Sequence, residues 1–161
     1  MTNDASAKTA FQDGMEHNLC FGCGPHNDLG LRIKSHWEGD VSVCVFEPLA
    51  HHMAGPRHIL NGGIIATVID CHSICTAIAD AYRREGREIG SEPVIWYATG
   101  SLHVDYKHPA AIDKPVELRA IIAEVKPKKT VVHCKMFSEE DVCAFGEVVC
   151  VRVPREWFAG T

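Results

Sequence analysis

NGGIIATVIDCHSICTAIAD, residues 61–80, is the stretch on which the reading of this chain turns. It is apolar for most of its length, opens with two glycines after Asn61, and carries a carboxylate, Asp70, near its middle. A buried charge is costly, so Asp70 either meets water or has a task. Ile64, Ile65, Val68, Ile69, Ile74, Cys75, Ile78 and Ala81 spread around more of a helical wheel than one surface stripe covers. The pattern predicts a buried helix from about Gly62 to Arg84, wrapped by a sheet, with its remaining side against a second subunit.

Outward from the helix the period changes. LRIKSH (31–36) and VSVCVFEP (41–48) read as strands turning at Glu38, Gly39 and Asp40, and LAHHMAGPRHIL (49–60) as a loop. In SLHVDYKH (101–108), Leu102, Val104 and Tyr106 share one face, while Ser101, His103, Asp105 and Lys107 share the other. PVELRAIIAEV (115–125) alternates through Val116, Leu118, Ala120 and Ile122, and TVVHCKMF (130–137) and EVVCVRV (147–153) complete the set. Runs of strands beside one segregated helix predict an α+β fold with an antiparallel sheet. Residues 1–14 read as a flexible leader and 15–161 as one domain.

Composition narrows the function. The chain has 161 residues, the size of one ordinary domain, and a formal charge of -5, which argues against nucleic acid as a partner. The opening MTNDASAKTAFQDG has no apolar core, and no run approaches the ~18 apolar residues of a membrane span. A cytoplasmic protein without a membrane partner is expected. The eight cysteines then read as reduced thiols, and Cys44, Cys71, Cys75, Cys134, Cys143 and Cys150 as small hydrophobes in apolar runs.

Chemistry gathers at the start of the helix. Asn61 is a good N-cap, and Gly62 and Gly63 let a ligand approach the unpaired N–H groups of the first turn. Those donors and the helix dipole favour a developing negative charge. At about 100° per residue, Gly63, Thr67 and Asp70 fall on one side. The stretch thus offers an oxyanion site and a carboxylate for acid/base or nucleophilic work, although a capped structural carboxylate fits the same residues. His72 lies about 200° from Asp70 and cannot pair with it, and Cys71 and Ser73 read as packing residues.

HNLCFGCGPH offers zinc-ligand types at His17, Cys20, Cys23 and His26. Zinc motifs usually split their ligand pairs across a longer loop, and so short a run closes a tetrahedron poorly. No metal or other cofactor is expected. His51, His52 and His58 read as lining or covering a substrate entrance.

The chain resembles the hotdog-fold acyl-CoA thioesterases, in the branch of the phenylacetate-pathway and 4-hydroxybenzoyl-CoA enzymes. CFGCGPHNDLGL, GPRHILNGGIIATVID, TGSLHVDYKHPA and KPKKT carry the resemblance, which runs from about Cys20 to Val153. In particular, Asp70 falls seven positions after the second glycine, as in the family's His-Gly-Gly motif. The resemblance implies an antiparallel sheet wrapped around one central helix and hydrolysis of a thioester to free acid and CoA. Asp70 would be the base or nucleophile, the Gly62 N–H would hold the carbonyl oxygen, and Thr99 would orient water or substrate. Asn61 replaces the motif histidine, and Gly55 stands where some relatives carry a polarising Asn.

For the CoA phosphates the candidate contacts are Arg57, Lys107, Lys128 and Lys129, with Gly63 and His58 also at the substrate. Trp96, Tyr97, Phe46 and Met53 are acyl-pocket candidates or core residues. Gly62 and Asp70 lie about 12 Å apart along one helix, at ~1.5 Å per residue, long for one thioester carbon to meet both. The resemblance answers this with a homodimer sharing its sites, alone or doubled into a tetramer. A non-catalytic acyl-CoA-binding module would keep the pocket without needing Asp70. A hydratase or dehydratase would need a histidine–acid pair, which Asp70 and His72 do not supply.

Overall fold

The structure, a computed structural model, describes residues 9–158. Six strands, β1 (Ser35–Glu38), β2 (Val41–Phe46), β3 (Trp96–Tyr106), β4 (Val116–Lys126), β5 (Lys129–Ser138) and β6 (Asp141–Val153), form one sheet. Their order is β1-β2-β4-β5-β6-β3, antiparallel throughout. The long helix α1 (Gly62–Arg84) lies across β3 to β6, and a short helix α2 (Arg155–Phe158) follows β6. The predicted hotdog arrangement and the predicted helix both stand.

The sheet covers α1 with alternate residues. Val116, Leu118 and Ala120 of β4, Val132, Cys134 and Met136 of β5, and Ala144, Val148 and Cys150 of β6 are all fully buried. Removing a large aliphatic side chain from water stabilises by roughly 1.5–3 kcal/mol, so this face is the main source of cohesion. Helix and sheet come close at Gly146, where an added Cβ would lie 2.3 Å from Cγ2 of the fully buried Ile69. Gly146→Val should therefore overpack the helix–sheet contact and destabilise by at least ~1–3 kcal/mol. Thermal denaturation checks it; an unchanged Tm would mean that α1 sits less tightly than described.

Two expectations change. Residues 1–8 of the predicted leader lie outside the described residues, but its last part is packed. Phe11–Gly14 forms a 3-10 turn, Phe11 is buried against Trp37, and the Gln12 amide exchanges two hydrogen bonds with Ser35. An aromatic ring and a satisfied buried amide anchor this segment, so the packed domain starts by Ala10 rather than at residue 15.

The other change concerns what covers α1. Every residue from 71 to 79 is buried within this one chain. The side opposite the sheet is closed by the chain's own N-terminal segment, with Gly22 so near Cys71 that a Cβ would fall 2.2 Å from its sulfur. The first half of the helix is less covered, with Ile64, Ala66 and Thr67 half-buried and Gly63 exposed. By length and composition α1 is also apolar enough to cross a membrane, contrary to the reading of the sequence, but 67% of its most apolar window is buried in the protein, as in a core helix.

Strand ends differ too. β3 begins at Trp96, earlier than predicted, because Gly100 is accommodated as a bulge between Thr99 and Ser101. β6 starts at Asp141, since Gly146 lies inside the strand beneath the helix instead of ending it. β1 is shorter than predicted: Leu31 and Ile33 donate backbone bonds to Phe21 and Gly22 of the N-terminal segment.

Candidate active site

Asn61 takes an extended conformation (φ -62°, ψ 134°) and caps α1, its Oδ1 accepting the N–H groups of Gly63 at 2.7 Å and Ile64 at 3.3 Å. Gly63 thus spends its donor on the cap, which removes it from the expected substrate contacts. The Gly62 N–H has no acceptor among the described residues. An added Cβ on Gly62 would stand 3.5 Å from the Tyr106 ring, an ordinary contact. The Tyr106 hydroxyl donates to the Gly62 carbonyl at 2.7 Å and pins the helix start to the end of β3. Sequence reasoning gave Tyr106 no such role; its place in the Tyr-Lys-x-Pro-Ala stretch was the available signal.

Two turns along α1, Asp70 is half-buried, and its Oδ1 accepts the Thr99 hydroxyl at 2.8 Å. Burial raises its pKa above the ordinary carboxylate value, against the lowering effect of the Thr99 hydrogen bond. The pair joins residues 29 apart in sequence. One strand therefore sets Thr99 beside Asp70 and, seven residues on, Tyr106 beside Gly62. It holds the donor end and the carboxylate apart.

His72 takes no part. It is fully buried, with Nδ1 2.8 Å from Ser35 Oγ and Nε2 3.1 Å from the Ser42 carbonyl. Burial depresses its pKa to about 4, against the opposing Ser42 bond, so it is a neutral core imidazole at neutral pH. Thr76 adds hydrogen bonds to Ser42 and to the His72 carbonyl, completing an internal polar network.

The candidate cations fall into two groups. Exposed Arg57 and His58 lie in the loop entering α1, and Lys107, which bonds the Cys143 carbonyl through its backbone, follows Tyr106. Exposed Lys128 and Lys129 lie at the β4–β5 hairpin, where Lys129 pairs with Val151. The nine residues of β6 from Cys143 to Val151 span roughly 27 Å, too far for both groups of one chain to share a phosphate. Lys107 also stands 3.7 Å from Asp105.

His52 is buried, stacked on Phe46, with Nδ1 accepting the Leu49 N–H, so it is a loop-closing residue and not an entrance residue. Phe46 and Tyr97 belong to the core, and Met53 is exposed. Of the acyl-pocket candidates, Trp96 lines a cavity of about 560 Å³ with Met15, Leu19, Ile78, Tyr82 and Ile89. His17 and His26 are exposed and do not join Cys20 and Cys23; Cys71 of α1 does.

Comparison with known proteins gives these positions a setting. Residues 58–145 match the family described as the Thioesterase superfamily. A Thioesterase superfamily protein from Shewanella loihica PV-4 is 32% identical, with TM-score 0.63, over 76% of this chain and 91% of that one. A thioesterase from Haemophilus influenzae has TM-score 0.62 at 14% identity, over 76% and 79% of the two chains. The Escherichia coli PaaI protein of the phenylacetic acid degradation operon has TM-score 0.62 at 11% identity, over 77% and 81%. No curated protein gives a significant sequence match.

Proposed function

The chain belongs to the thioesterase superfamily, and from that premise we propose that it hydrolyses acyl-CoA thioesters to a free acid and CoA, with Asp70 as the catalytic carboxylate. The observation that carries the reading is the 2.8 Å hydrogen bond from Thr99 to a half-buried Asp70. Thr99 fixes one carboxylate oxygen and leaves the other for water or the thioester carbon. As a base, Asp70 takes a proton from the attacking water; as a nucleophile, it forms a mixed anhydride that water then opens. In either case the carbonyl oxygen gains negative charge, which a helix N-terminal N–H such as that of Gly62 stabilises. Collapse expels the CoA thiolate.

Gly62 and Asp70 of one chain do not serve one carbon. Among the described residues β3, an eleven-residue strand, is paired on one edge only, to β6, and an open edge of that length is a template for a second copy. Identical strands pair antiparallel about a two-fold axis. Centred between Leu102 and His103, such a pairing sets Thr99 near the partner's Tyr106, and so Asp70 near the partner's Gly62. It also brings Lys128 and Lys129 to the same end of the joined sheet as the partner's Lys107. The working unit in this reading is a homodimer with two shared sites.

Release of free thiol from a panel of acyl-CoAs tests the activity; no turnover on any member, with CoA still bound, would favour the non-catalytic module. Thr99→Ala should lower kcat by about 10-fold, less than loss of the carboxylate, because a positioned hydroxyl orients but does not accept the proton. An unchanged rate across several substrates would return Thr99 to an ordinary strand position.

A further inference from the structure

We propose that Cys20, Cys23, Cys71 and Cys75 bind a structural zinc ion that fastens the N-terminal segment to α1. The Sγ atoms of Cys20, Cys23 and Cys71 all lie within 4.8 Å of one another, and Cys20 and Cys71 are 3.6 Å apart. Zn–S bonds of ~2.3 Å in a tetrahedron set sulfurs about 3.8 Å apart, so the three thiols already stand close to one triangular face. Cys75, one turn beyond Cys71 on the same side of the helix, is fully buried; its sulfur stands outside the 4.8 Å group and would complete the tetrahedron by turning its side chain toward the other three. It supplies the fourth ligand.

This arrangement removes the objection raised by the sequence. Four ligands in one short run close a tetrahedron poorly, but the fold discards His17 and His26 and joins a C-x2-C loop to a C-x3-C helix face. The ligands then come as two pairs separated by a long stretch of chain, the usual zinc pattern.

The loop is shaped for the purpose. Gly22 lies where a Cβ would meet the Cys71 sulfur at 2.2 Å, and Gly24 where one would meet the Cys20 nitrogen and oxygen at 2.5 and 2.6 Å. The Gly24 N–H closes the turn on the Cys20 carbonyl at 2.8 Å. Buried Asn18 donates to the Cys23 sulfur at 3.3 Å and accepts the Cys20 N–H at 3.0 Å, the outer support that orients metal ligands. An all-sulfur set of two pairs suits zinc and excludes magnesium and calcium, which need oxygen ligands. Binding exchanges four S–H protons for one Zn²⁺, leaving a tetrathiolate with a net charge of about -2. The ion would hold the segment that closes α1 at the residue next to Asp70.

Untagged full-length protein, purified without chelator, should contain about one zinc per chain by elemental analysis. Exchange with Co²⁺ should produce a strong sulfur-to-cobalt band in the near ultraviolet and tetrahedral bands in the visible. Stripping the metal under reducing conditions should lower Tm by ~10 °C or more, since the binding energy of such a site is folding energy. Cys23→Ser and Cys71→Ser should retain less than about a tenth of the metal, whereas Cys143→Ser and a His17→Ala, His26→Ala double variant should retain it all. The wild-type measurement does not depend on whether any variant folds. Folded, reduced wild-type protein that carries no zinc and gives no sulfur-to-cobalt band would overturn the proposal. Loss of metal in the double histidine variant would overturn the ligand assignment.

Discussion

Asp70→Asn is expected to lower kcat at least ~100-fold on the best acyl-CoA, with little change in CoA affinity or Tm. The amide has the shape of the carboxylate, and its oxygen can still accept the Thr99 hydroxyl now bonded at 2.8 Å. What disappears is the oxygen able to take a proton or attack the thioester. A structural carboxylate would behave differently: its replacement would shift stability while leaving turnover near normal. A variant that hydrolyses within a few-fold of wild type would sink the assigned role of Asp70. The contrast with Thr99→Ala sharpens the test, since losing the orienting group should cost less than losing the group it orients.

Random co-assembly of two inactive chains should recover about a quarter of wild-type activity if the sites are shared, and isolated mixed dimers about half. Gly62→Val should block approach to the helix N-terminus without preventing folding, because a Cβ there meets only the Tyr106 ring, at 3.5 Å. It and Asp70→Asn should each be inactive alone. In a mixed dimer one site receives both lesions and the other neither. Random pairing makes half the dimers mixed, each with one of two sites whole, which is the origin of the expected fraction. A site built within one chain recovers nothing, because every chain carries a lesion. Co-expression with two different tags, isolation of doubly tagged dimers and a rate measurement decide the matter. No recovered activity in verified mixed dimers would reject sharing.

Periodicity was enough for α1 and for the strands that carry alternating residues, because burial of one face imposes period two and burial all round a helix leaves no polar stripe. Glycine misled it. Gly100 and Gly146 interrupt the apolar pattern, yet one sits in a bulge and the other beneath Ile69, so β3 and β6 run through them. At the site, the N-cap at Asn61 was legible from local spacing, since a cap joins groups within one turn. The failure of Asp70 and His72 to pair was legible for the same reason.

Contacts between distant segments were not. The family resemblance supplied Thr99 as a candidate, but nothing in its spacing said that its hydroxyl would reach Asp70 across 29 residues. Cys71 carried no mark that set it apart from the other apolar-run cysteines; only closure of the Cys20–Cys23 loop over α1 brings three sulfurs within 4.8 Å. Phe11 and Gln12 looked like part of a loose leader until the fold gave them Trp37 and Ser35. The sequence by itself determined the helix, its cap and the sheet that wraps it, because these follow from hydrogen bonds and side-chain directions set by near neighbours. Which thiols meet, which cations share an end of the sheet and which side of α1 is closed by its own chain were decided only by tertiary structure. Those depend on where the topology returns the backbone, and no local spacing records that.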